Sequence, residues 1–329
     1  MNMNTATLEN TLTQTRKSPA TTLDLKKILV PLDFSRVSMH ALKYTIPLAE
    51  EFHAAIHLLH VQPADEFTSV PGAGRLMLNC ADTIALMQDR LSEVQEKHAV
   101  HFWPDHCHVL SGRPYEEICK LAVELDIDLI VLPTRGYSGL IHLALGSTAE
   151  RVVRHAPCPV LVPRGQKFDA LTWSGKPEGE FAVRKILVPV DFSAASLAGV
   201  KYAALIAKRF GAKLRLFHVI FPYTQVFHID RFAADLVPLI QSARANANSE
   251  LTKIRQLPFM DDIECETETA VGSTIDEICA ESARTDIDLL VTATHGRTGF
   301  SHALIGSIAE HVIRYASSPV LVVPSRGYE

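Results

Sequence analysis

No stretch of this chain approaches the roughly 20 consecutive apolar residues that a membrane-spanning helix needs, so no span and no membrane partner are expected. Positive charge is not in excess either: 32 Lys and Arg stand against 37 Asp and Glu, a formal net charge of −5 with a pI near 6.3. Cations scattered in this way give no electrostatic footprint for nucleic acid, which is not expected as a partner. The six cysteines lie far apart and form no C-x-x-C pair. Such usage suits a reducing compartment, and the cytoplasm is the expected location. Cys119 and Cys279, at matching positions in "EEICKLA" and "DEICAES", are expected to pack in the core. Residues 1–22 lack the apolar centre of a secretory signal and are rich in Thr and Asn, which predicts a disordered lead-in.

Several catalytic signatures are missing as well. The phosphate loop G-x-x-x-x-G-K-[ST] and the dinucleotide fingerprint G-x-G-x-x-G do not occur, which excludes a P-loop NTPase and a standard dinucleotide site. Nor is there a G-x-S-x-G elbow or an H-E-x-x-H helix. No catalytic constellation stands out, so binding is expected rather than turnover.

What the chain does have is itself, twice. "KKILVPLDFS" at 26–35 returns as "RKILVPVDFS" at 184–193, and "DIDLIVLPTRG" at 126–136 returns as "DIDLLVTATHG" at 286–296. The offset moves only from 158 to 160 residues, so element order and loop lengths are shared between two copies of one domain. With 329 residues, 47% apolar and 21% charged, each copy is long enough to bury its own core. The sequence divides into a lead-in at 1–22, a first domain at 23–164, a linker at 165–183 and a second domain at 184–329.

Within each copy short apolar runs alternate with amphipathic stretches. "KILVPLD", "AIHLLHV", "HCHVLSG", "DLIVLP" and "PVLVP" have the length and β-branched content of strands. Between them lie helices introduced by Ser35, by Pro114 and by Gly146-Ser147. Strictly alternating β and α predicts an α/β domain, a five-stranded parallel sheet flanked by helices and joined by right-handed crossovers. In such sheets ligands sit beyond the carboxyl ends of the strands, where strand order reverses. The residues at those ends are Asp33, Val61 and the turn around Gly136 in the first copy. In the second they are Asp191, Val219 and the turn holding Ala293 and Gly296.

The Gly turns carry the chemistry. A helix N-terminus offers unpaired N–H groups and about half a positive charge, and glycine permits close approach of a ligand to the backbone. Gly146-Ser147 and Gly306-Ser307 open helices, and Gly136 and Gly296 precede each pair by ten residues. Together they could wrap a di- or triphosphate, with Asp33 or Asp191 accepting from a base or a ribose hydroxyl. Plain punctuation by Gly turns and Ser caps remains the alternative. The densest histidine cluster is "HFWPDHCH" at 101–108, where His106 and His108 share one strand face and could hold a metal with His101 or an acidic residue. The second copy has "DIECETET" there, so no metal site is duplicated, and a strand edge is the expected reading. His142 and His302 match between copies and are expected on a helix surface.

The paired strands "KILVPLDFS" and "KILVPVDFS", the turns "PTRGYSG" and "ATHGRTG", and the openings "GSTAERVVRHAPCPVLV" and "GSIAEHVIRYASSPVLV" resemble the universal stress protein family in its tandem form. The resemblance spans all but the lead-in and linker. It implies two Rossmann-like domains of the HUP class that pack as an internal pseudo-dimer through their last strands, and it leaves open whether two chains pair further. It also implies a stress-response protein that binds an adenine nucleotide, ATP above all, with Mg2+ as its companion, and that acts on a protein partner not named by the sequence. The family's G-x-x-G, nine residues, G-[ST] motif maps onto Pro133, Gly136, Gly146 and Ser147, and onto Ala293, Gly296, Gly306 and Ser307. Its first glycine is met in neither copy. Pro133 removes an N–H and adds a ring, whereas Ala293 adds one methyl group, so the second half is the expected nucleotide site. The family's adenine contacts map to Asp33 and Val61 and to Asp191 and Val219, and nucleotide is expected to order the Gly turn and the 62–80 segment. A scaffold without nucleotide, or a weak ATPase or phosphotransferase, are the alternatives; the H-I-G-H and S-G-G-x-D-S signatures of adenylating relatives are absent.

Overall fold

The computed structural model describes residues 22–63, 80–97, 106–133, 146–163, 183–221, 233–284, 286–294 and 306–324. The lead-in apart from Thr22, the linker apart from Val183, most of the 62–80 segment, and Gly136, Gly296, His101, His142 and His302 lie outside them. The chain divides into two compact units, Asp24–Gly165 and a second that runs from Gln166 to Glu329.

The first unit runs β1 (Lys27–Pro31), α1 (Arg36–Phe52), β2 (Ala55–Pro63), α2 (Cys80–Lys97), β3 (Cys107–Gly112), α3 (Pro114–Glu124), β4 (Leu129–Val131), α4 (Ser147–His155) and β5 (Val160–Val162). Its strands lie in the order β3-β2-β1-β4-β5, every pairing parallel. The second unit repeats the plan with β6 (Lys185–Pro189), α5 (Ala194–Phe210), β7 (Lys213–Ile220), α6 (Ala233–Arg255), β8 (Cys265–Val271), α7 (Thr274–Ser282), β9 (Leu289–Ala293), α8 (Ser307–Tyr315) and β10 (Val320–Val323). Its order, β8-β7-β6-β9-β10, is likewise parallel throughout. Each domain is therefore the expected five-stranded α/β sheet.

A parallel strand covered on both faces has no polar side to spare. Accordingly Ile28, Leu29 and Val30 of β1 and Ile186 and Leu187 of β6 are fully buried. The repeated "DID" motif turns out to be structural. Asp128 accepts the N–H groups of Lys26 and Lys27 at 2.8 and 3.0 Å, and Asp288 accepts those of Arg184 and Lys185 at 2.8 and 3.1 Å. Each carboxylate thus anchors the start of the central strand to the segment entering its neighbour, while Ile127 and Ile287 plug the core between.

Helix ends are written locally. Ser35 and Ser193 each accept the N–H three residues on, at 3.1 Å, so they are true N-caps. The following C-cap is left-handed in both units, at His53 (φ 53°) and Gly211 (φ 63°), the first with a residue that pays for that conformation. Cys119 is buried as expected, and burial pushes its thiol up to about 12. Cys279 is only half-buried, a correction to the core position expected for it.

Candidate nucleotide-binding site

The chain runs β1 to β2 to β3 outward in one direction and then returns to place β4 on the other side of β1. Strand order reverses between β1 and β4, and between β6 and β9, which puts a crevice at the carboxyl end of each pair. Asp33 follows β1, Val61 belongs to the end of β2, and Pro133 follows β4. In the second unit Asp191 follows β6, Val219 lies near the end of β7, and Ala293 ends β9. All strands being parallel, these residues come to one edge of each sheet.

The two aspartates shape the mouth. Asp33 Oδ1 accepts Ser35 N–H at 3.0 Å, and Asp191 Oδ1 accepts both Ser193 N–H at 3.0 Å and Ser193 Oγ–H at 2.6 Å. Each of these turns holds its middle residue, Phe34 (φ 59°) or Phe192 (φ 64°), in the left-handed region that costs an L-residue energy.

What holds the strained phenylalanines is a histidine that the sequence analysis passed over. His60 Nδ1 donates to Leu32 O at 2.8 Å and its ring lies 4.9 Å from that of Phe34. His218 Nδ1 donates to Val190 O at 2.7 Å, with its ring 4.5 Å from Phe192. The carbonyl can only accept, so Nδ1 carries the proton in both rings. The recurrence of "HV" at 60–61 and 218–219, at the same 158-residue offset as the aspartates, was the available signal. In the first unit the Arg90 guanidinium adds a cation 4.5 Å above Phe34.

The helix openings stand where the Gly-Ser pairs are. Gly146 and Gly306 are the N-caps of α4 and α8, with φ of −63° and −60° and no side-chain cap. The Gly306 amide donates to Thr294 O at 2.8 Å, and Thr294 N–H in turn donates to Val323 O at 3.1 Å. Gly306 therefore ties the helix to the end of β9, and the N–H groups of the first turn, beginning at Ser307, are the ones without helical partners. Ser147 and Ser307 are both exposed.

Ala293 stands where the motif has its first glycine. It is 7% exposed, and a Cβ built on Gly199 of α5 would come 4.0 Å from the Ala293 Cβ and 3.6 Å from its nitrogen. The methyl faces α5 beside Gly199, where an added methyl would meet it in ordinary van der Waals contact. Pro133 is buried as well, and Ala41 stands at the position of Gly199.

His108 lies on β3 and His106 just before it, and the pairing of β3 with β2 brings His57 to them. His57 Nδ1 and His108 Nε2 are 3.2 Å apart, and the rings of His57 and His106 are tilted by 32° with centroids 4.2 Å apart. Among the described residues no group of three His, Cys, Asp or Glu side chains is placed to hold a metal ion. At the matching positions of the second unit Arg215, 7% exposed, is bound by Glu266, Glu268 and, at 2.9 Å, Glu281. Lys185 joins it through Glu266 at 2.9 Å and Asp286 at 3.1 Å. Burial opposes the charge on Lys185, but its hydrogen bonds to these two carboxylates outweigh burial and raise its pKa. The hydrogen bond from Lys185 is also what lowers the Glu266 carboxyl below its usual range.

A family model described as the universal stress protein family matches residues 24–164 and again 182–324. The universal stress protein MJ0531 of Methanocaldococcus jannaschii is 37% identical over 142 residues, covering 43% of this chain and 84% of that protein. YxiE of Bacillus subtilis, also a universal stress protein, is 32% identical over 145 residues, covering 42% of this chain and 98% of its own. Among solved structures, a universal stress protein from Archaeoglobus fulgidus aligns with 91% of this chain and 98% of its own at a TM-score of 0.60, a likeness of fold at 21% identity.

Proposed function

The chain belongs to the universal stress protein family, and from that premise we propose that it binds an adenine nucleotide, ATP by preference, in its second half and acts by binding rather than turnover. One observation carries the reading: at the switch point of the second unit the methyl of Ala293 is buried against Gly199, so the missing first glycine does not narrow the mouth. The residues there suit the ligand. Asp191 is an acceptor of the kind an adenine amine or a ribose hydroxyl would meet at that strand end. The end of β7 at Val219 offers backbone to a base edge. The first turn of α8, from Ser307, offers N–H donors and the positive end of the helix dipole to phosphates. Gly296 joins the reading by its place in the sequence motif alone, and Mg2+ would accompany a triphosphate.

In the first half the same reading extends to Asp33, Val61, Gly136, Gly146 and Ser147. There Pro133 has no N–H to offer, which makes this half the weaker site. The hydroxyl that meets a carboxylate at the second mouth, Ser193 on Asp191, is held as the N-cap of α5, which favours a sensor that changes a partner surface over a catalyst.

The test is to denature gently purified protein, then identify and count the nucleotide released. About one adenine nucleotide per chain, absent from a Gly306→Leu variant and retained by Gly146→Leu, is the expected result. Gly306 has an ordinary extended φ of −60°, so the variant keeps a backbone that any residue adopts. No nucleotide released, and none bound when ATP is added, would refute the reading.

A further inference from the structure

We propose that the His57–His106–His108 cluster makes the first half the acid-sensitive half of the chain, its β2–β3 pairing loosening under mild acid while the corresponding β7–β8 pairing holds. This inference stands apart from nucleotide binding and rests on what the duplication did to one patch of sheet.

In both units β1 or β6, the second strand, and the third strand bring the same positions to one face. The second unit fills them with Lys185, Arg215, Glu266 and Glu268, and α7 adds Glu281 from above. The first unit fills them with Lys27, His57, His106 and His108, and Leu121 stands where Glu281 would be. Every titratable neighbour whose charge reaches His57 is a base: His106 and His108 from β3, and Lys27 from β1. Lys27 directs its ammonium to the Leu125 carbonyl at 2.8 Å rather than to a carboxylate. The residues that α3 buries are Ile118, Cys119, Leu121 and Ala122, and the Cys119 thiol, pushed up to about 12, is neutral. Among the described residues no anion therefore answers a charge on His57.

The hydrogen bonding points the same way. The 3.2 Å contact between His57 Nδ1 and His108 Nε2 needs one nitrogen to donate and the other to accept. With both rings protonated, two N–H groups would face each other. His57 is 5% exposed, and its Nε2 is buried with no hydrogen-bond partner among the described residues. A protonated His57 would bury an unanswered N–H there, together with its charge. Burial first, and then the positive charge of His106, His108 and Lys27, lowers its pKa to about 4. Burial and then His106 lower that of His108 as well.

The sign follows from linkage. The unfolded chain takes up the proton near pH 6.5 and the folded chain only near 4. The stability tied to neutral His57 is thus complete above pH 6.5 and is lost as the pH falls from there toward 4. Between pH 7 and pH 5 the population of the opened first half should rise on the order of 20-fold from His57 alone. In the matching patch of the second unit Glu266 holds its charge below the usual carboxylate range. The strand that loosens also carries Val61 at its far end, so acid would reshape the mouth of the first unit.

Hydrogen exchange by mass spectrometry on the full chain at pH 7 and pH 5, corrected for intrinsic rates, tests this. The expected result is an opening of Ala55–Pro63 and Cys107–Gly112 that rises about 20-fold, with Lys213–Ile220 and Cys265–Val271 changing less than about 3-fold. A His57→Phe variant, which keeps a ring but cannot titrate, should lose most of the pH response. His57→Leu serves where the larger ring fails to pack. Equal responses in the two halves, or a first-half response that survives both substitutions, overturn the proposal.

Discussion

Replacing Arg215 by Met tests the ion network of the second half as a unit. Its guanidinium has a side-chain exposure of 9% and is surrounded by Glu266, Glu268 and Glu281, the last itself only 11% exposed. Removing one partner of a buried pair costs about 3–5 kcal/mol, because the other charge is left without an answer. Glu266 and Glu268 are 46% exposed and can turn into water, whereas the buried Glu281 would be left with the half-exposed Arg284, 3.4 Å away, which sets the cost at the lower end of that range. That places the expected cost near 3 kcal/mol, or roughly a 150-fold larger open population. Two units in one chain make a single unfolding free energy ill-defined, so the assay should be local. Hydrogen exchange of Lys213–Ile220 and Cys265–Val271 gives that reading. The double variant Arg215→Met, Glu281→Leu copies the first unit, where Leu121 occupies the place of Glu281, and should recover most of the loss. A single variant with less than about a 5-fold effect, or a double variant as open as the single, would refute the idea that this network is what Glu281 needs.

Two further outcomes can be read from the repeat. His53→Gly relieves a left-handed C-cap (φ 53°) and should stabilise the first unit by about 1 kcal/mol, whereas Gly211→Ala (φ 63°) should cost the second a similar amount, both visible as shifts in thermal unfolding. Ser318 is fully buried and donates to Ser282 O at 2.7 Å, sharing its proton with Ile287 O at 3.1 Å, so Ser318→Ala should cost about 1–3 kcal/mol by denaturant titration. The combined change Ser282→Ala, Ser317→Pro, Ser318→Cys copies Ala122, Pro157 and Cys158 of the first unit and should recover part of that loss.

The sequence by itself determined the duplication, the order of strands and helices, the N-cap at Ser35, and the edge of the sheet where Asp33, Asp191 and the Gly-Ser pairs are expected. These are local facts: periodicity, capping chemistry and a constant offset are written in neighbouring residues and need no partner from far away. Tertiary structure decided which distant residues meet. His57 and His108 are 51 residues apart, and they touch because β2 pairs with β3 in a register that sets Leu59 beside His108. A slip of one residue would turn the whole strand over and separate them. The same dependence hid His60 against Phe34 and the Ala293 methyl against Gly199, since side-chain direction at a strand end is set by pairing and packing. It also explains why equivalent positions became an ion network in one half and a histidine cluster in the other. The repeat fixes where the side chains stand, and the neighbours assembled around them fix whether a charge there is held or refused.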